Sequence, residues 1–127
     1  MSYTFNKTLD MDFDQAIESV TEALKKEGFG VLTEIDVQAT LKKKINVDFR
    51  KYRILGACNP GFAHQALQAE PEIGTMLPCN VIVQETEEGV QVSAIDPMAS
   101  MQAVENSDLG SIATQVQDKL RNVIASL

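Results

Sequence analysis

Sulfur is the scarcest reactive chemistry in this chain, and it sits in two matched turns. Leu55-Gly56-Ala57-Cys58-Asn59-Pro60 and Leu77-Pro78-Cys79-Asn80-Val81 hold both cysteines, each followed by Asn. An Asn before Pro is a favoured N-cap, so Cys58 falls just before the positive end of a helix. Free backbone N–H groups and the helix dipole there favour an anion, which suits a reactive thiolate or a turn that grips a small anion. The competing reading is a small buried hydrophobe in a crowded turn. Cys79, launching a strand after Pro78, reads on its own as buried and inert. As a pair the two gain interest: if their strands are antiparallel neighbours, the sulfurs could meet and a disulfide becomes feasible. His64 is the only histidine. It lies inside the helix that Asn59 starts, and a Cys58/His64/Cys79 trio has the donor types for zinc or another soft metal. The tight Cys-x-x-Cys pairs of structural zinc sites are missing from the pattern. The candidate thiol or ligand site is therefore Cys58, Asn59, His64 and Cys79, with the metal unassigned and no cofactor expected.

Other chemistry is thin. Met98 and Met101 follow Pro97 and read as packing under a loop rather than Cu(I) ligands. Glu85, Glu87 and Glu88 flank a turn and are read as solubilising, and Glu70-Pro71-Glu72 is read as a loop. No Ser/His/Asp order, phosphate-cradling Gly loop or inward carboxylate pair stands out, so a hydrolase or nucleotide enzyme has no support.

The 127 residues fit one domain, spanning 1–127, able to bury roughly two thirds of the surface its unfolded chain exposes. Hydrophobic residues make up 44%, a globular proportion that excludes a disordered chain. The net charge of −7 repels a phosphate backbone, and no basic stripe offsets it, so nucleic acid is not an expected partner. Lys42-Lys43-Lys44 is the one basic run, and it fits the C-terminal turn of a helix, where cations complement the dipole. The start, Met1-Ser2-Tyr3-Thr4-Phe5, has neither the basic nor the apolar region of a signal peptide. No apolar run approaches the roughly 18 residues of a membrane span. A cytoplasmic protein with reduced thiols and no membrane partner is expected.

Positioning these residues takes a regular set of elements. Residues 3–8 alternate as a strand. Asp12 caps a helix over 12–27, with Gln15 as capping-box partner and Gly28 as its stop. Gly30–Ile35 is a second strand, and Asp36 caps a short helix reaching Lys44. A third strand runs from Lys51 to Gly56 or Ala57, and Asn59-Pro60 opens a helix toward Pro71. Val81–Glu85 and Val90–Ile95, joined by Glu87-Glu88-Gly89, form a hairpin. Asp96-Pro97 breaks the second of these strands, and a last helix spans 107–125. The order is β-α-β-(short α)-β-α-β-β-α. That predicts a two-layer α+β fold, an antiparallel or mixed sheet of about five strands with helices mainly on one face. The other face is left to solvent or a partner, so a homodimer is expected.

The segment Tyr52–Glu85 resembles the Domain of Unknown Function 302 family. The resemblance is carried by Ile54-Leu55-Gly56-Ala57-Cys58-Asn59-Pro60, Ala63, Ala66-Leu67, Glu70-Pro71, Gly74, Leu77-Pro78-Cys79-Asn80-Val81 and Asp96-Pro97. The opening strand and helix and Gly28-Phe29-Gly30-Val31 extend it over most of the chain. It implies a small two-layer α+β domain and a dimer, and it implies no activity. The functional expectation is a dimeric binding or interaction module, more in keeping with a non-enzyme, with a small-molecule site near the cysteine turns. A thiol-redox or sulfur-handling protein using Cys58 and Cys79, and a soft-metal binder, are the alternatives.

Overall fold

The computed structural model describes residues 2–127; Met1, the first residue of the leader reading, lies outside them. Five strands build one antiparallel sheet: β1 (Thr4–Leu9), β2 (Gly30–Asp36), β3 (Tyr52–Cys58), β4 (Cys79–Thr86) and β5 (Gly89–Ile95). Their spatial order is β1-β5-β4-β3-β2. The helices are α1 (Phe13–Lys26), α2 (Val37–Ile45), α3 (Pro60–Ala69), α4 (Pro97–Ser100) and α5 (Asp108–Ala125). The α+β class, the five strands and the helix layer are as the sequence predicts.

Local chemistry sets the boundaries. The Asp12 carboxylate accepts from the Gln15 backbone N–H and starts α1. Gly28, at φ +84°, ends it in the left-handed region where a Cβ would be strained. Asp36 caps α2 through the Ala39 N–H, and Lys42, Lys43 and Lys44 occupy its last turn. Three stretches differ from expectation. Glu70-Pro71-Glu72 is not an open loop, because Pro71–Met76 winds into a 3-10 helix. Asp96-Pro97 both ends β5 and starts α4, with Asp96 accepting from Met98 N–H and Pro97 at the first helical position. β3 also extends past Gly56 to Cys58.

Alternation divides the sheet into two unlike faces. Leu9, Leu55, Val81, Val83, Val90, Val92 and Ala94 point to the helix layer and form one core with Val20 and Leu24 of α1 and Leu120 and Val123 of α5. Each such large side chain contributes about 1.5–3 kcal/mol of burial. Charged strand residues gather along the margins of this same face. Arg53 pairs with Glu34 at 2.7 Å and Asp36 at 3.5 Å, and its guanidinium lies 5.6 Å from the Phe13 ring centroid. Lys7 donates to the backbone oxygens of Ala125 and Leu127. The outer face is different. Its central row is Ile35, Ile54, Ile82, Ser93 and Asn6, joined by consecutive register pairs.

Candidate functional site

β3 and β4 are antiparallel neighbours, as the pairing of the two cysteine turns requires. The register places Ala57, not Cys58, opposite Cys79. Cys58 is the last residue of β3 and pairs with Gly30 on the other side. The two thiols are free. Both nevertheless line one cavity at this end of the sheet.

Asn59 fixes where β3 hands over to α3. Its Oδ1 accepts from the Phe62 N–H at 3.4 Å, and Pro60 takes the first helical position. Its Nδ2 donates to the Glu27 carbonyl at 3.5 Å, tying α3 to the end of α1. Gly56 fixes the approach from below. A Cβ there would collide with Thr33 Oγ1 and lie 2.8 Å from Pro78 Cγ, so only glycine lets β2 and the Pro78 turn close on β3. A register shift between Val31 and Thr33 leaves Leu32 unpaired at the rim.

The resulting cavity holds about 310 Å³, at the lower end of small-molecule pockets. Its floor is Ala57, Cys58 and Cys79; α3 contributes Phe62, Ala63, Ala66 and Leu67; α5 contributes Ile112, Ala113 and Val116. Four alanines among these explain the space: larger side chains at 57, 63, 66 and 113 would fill it. Leu32 is 69% exposed and Leu67 42%, so the rim is apolar and open to solvent. None of the described lining residues is Asp, Glu, Lys, Arg or His. The polar groups are the two thiols, Thr33 and Asn59.

Burial pushes the Cys79 thiol up from its ordinary 9.0 to about 11, and the nearby Cys58 adds to the rise. Cys79 is therefore a protonated thiol at neutral pH, a weak nucleophile. That weighs against its use as a resolving thiol near pH 7. His64 is exposed and does not line the cavity. The Cys58/His64/Cys79 trio of the soft-metal alternative is not assembled: no group of three His, Cys, Asp or Glu able to hold a metal occurs among the described residues. Asn59, Cys58 and Cys79 are thus brought together, and His64 is not. Met101 also lines the cavity and Met98 does not; Met98 sulfur lies 3.8 Å from Thr114 Oγ1. Sequence reasoning missed Leu32, Phe29 and the α5 wall. The closest signal was the run of small residues at Ala57, Ala63 and Ala66.

An antiparallel sheet with its long helices α1 and α5 on one side and an apolar, thiol-floored cavity at one end defines a small two-layer α+β domain. Residues 5–127 match the family described as domain of unknown function DUF302, and the chain belongs to that family. It is similar to the crystal structure of the uncharacterized conserved protein DUF302 from Bacillus stearothermophilus, at 26% identity over 98% of each chain and a TM-score of 0.91. Comparison with curated proteins gives no match. No helix among the described residues is long and apolar enough to cross a membrane.

Proposed function

We propose that this protein is a cytoplasmic homodimeric binding module that holds a small, uncharged, largely apolar molecule between the two cysteine turns. The observation that carries this reading is the 310 Å³ cavity with an apolar open rim and no charged lining residue among those described. An ion would lose its hydration there without a paired charge, whereas an apolar group gains about 25 cal/mol per Å² removed from water. Thr33, Asn59 and the thiols offer weak polar contacts that orient a ligand rather than transform it. With Cys79 protonated at neutral pH and the lone histidine outside the site, the described lining residues offer no carboxylate or imidazole as a general base, which supports binding over catalysis.

The test is a fluorescence titration with a neutral apolar dye on the wild type and on Ala63→Phe, which fills the cavity from α3. Saturable one-site binding by the wild type and at least roughly tenfold weakening in the variant, about 1.4 kcal/mol, is expected. Absence of saturable binding, or equal affinity in the two proteins, contradicts the reading.

A further inference from the structure

We infer that the outer face of the sheet is the contact surface of the homodimer, with a second copy of this chain packed sheet against sheet across the row Ile35, Ile54, Ile82, Ser93 and Asn6. This rests on the dimeric reading above and adds where the two copies meet. The helices α1 and α5 pack on the opposite face. Alternation leaves the outer face to Ile, Thr, Ser, Asn, Gln, Tyr, Gly and, at the end of β3, Cys58, and among the described residues no outward strand position is charged. The chain is 23% charged overall and carries −7, so a solvated sheet face would be expected to share that charge. The strand charges at Lys7, Glu34, Asp36 and Arg53 lie instead on the helix side.

A face without charge suits a copy of itself. Two acidic molecules can meet there without opposing like charges, and amide and hydroxyl side chains can donate and accept across a two-fold axis. A partner selected by opposite charge would have nothing to read on these strands. At one end Arg50 hydrogen-bonds Gln84 at 3.0 Å and lies 4.4 Å from the Phe49 ring and 5.5 Å from the Tyr52 ring. Arg and Tyr held in place in this way are the residue types that anchor interfaces. Five strands about 4.8 Å apart and about 20 Å long present on the order of 500 Å². Two copies then bury about 1,000 Å² in total, the size at which a specific interface becomes credible.

The test is sedimentation equilibrium of the wild type, Ile82→Lys and Asn6→Lys, with circular dichroism and the neutral-dye titration run on each. Asn6 is exposed at the edge strand, so its variant keeps the fold even if Ile82→Lys does not. The expected result is a wild type at twice 13.9 kDa and variants that associate at least roughly tenfold more weakly while still binding the dye. A wild-type monomer at about 100 μM, far above the Kd of a specific interface, overturns both the dimeric reading and this surface. A dimeric wild type with a folded, equally dimeric Asn6→Lys overturns the surface alone and leaves the dimeric reading standing. A dimeric wild type that binds no dye, with variants that lose the dimer, counts against the cavity reading alone and supports this surface.

Discussion

Cys79 faces Ala57 across the β3–β4 ladder, so Cys58 reaches the shared cavity from the end of its strand rather than from the position opposite Cys79. The two thiols therefore meet a ligand as separate parts of one floor. Their closeness still shows in Cys79, whose thiol Cys58 helps to hold protonated.

This sets the pH behaviour of Cys79. Native-state alkylation of Cys79, followed by mass spectrometry in a Cys58→Ala background, should be slow at pH 8 and accelerate toward pH 11. Because Cys58 is the smaller of the two causes, the variant's midpoint should stay well above 9.0. The linked stability effect has a definite sign. The folded thiol keeps its proton between 9.0 and about 11 while the unfolded one loses it, so stability falls as pH rises through that window. Cys79→Ala should flatten this alkaline decline in Tm. A Cys79 that alkylates at pH 8 as fast as a free thiol contradicts the account.

Gly56→Ala tests the close approach beneath the cavity. The new methyl meets Thr33 Oγ1 and the Pro78 ring, and the ring cannot rotate away. Overpacking of this kind costs about 1–3 kcal/mol in urea unfolding. Adding Thr33→Ala should recover part of the loss, since the shorter of the two contacts disappears. An unchanged midpoint for Gly56→Ala alone would show that the strands are not held this close.

Asn59 has two separable duties. Asn59→Ala removes the cap on Phe62 N–H and the tie to Glu27 O, for about 1 kcal/mol, both bonds being long. Asn59→Asp keeps an acceptor for the cap and loses only the donor to Glu27, so it should cost less than the alanine. Equal losses in chemical denaturation would mean that the tie to α1 carries the whole effect.

Much of the frame is legible in the sequence because its signals are local. Asp12 before an apolar 3.6-residue period, Gly28 after it, and Asn59-Pro60 each specify an element end through one residue's own hydrogen bonds or dihedral preference. Asp96-Pro97 has the same cap chemistry, but read only as a strand breaker it hides α4. The cavity is less legible. Cys58, Cys79 and Asn59 mark its floor, yet its walls come from Leu32 at a bulge and Ala113 on a distant helix, which only tertiary packing brings together. His64 shows the converse: a plausible donor in sequence, it turns to solvent because the helix directs Ala63 and Ala66 to the cavity instead.

Filling the cavity from its other wall should act like filling it from α3. Ala113→Leu adds volume from α5, where Ala113 is buried. It should weaken dye binding at least roughly tenfold, at a stability cost of no more than about 1–3 kcal/mol. Full binding by a folded Ala113→Leu would place the dye elsewhere.

The most direct measurement is a two-dimensional amide NMR titration of the wild type with the neutral apolar dye. Saturable shifts concentrated at Leu32, Cys58, Phe62, Ala63, Leu67 and Ala113 are the predicted result. Shifts confined to the separate groove that Met11, Ser19 of α1 and Ser126 line, or none at all, would contradict a ligand cavity between the cysteine turns.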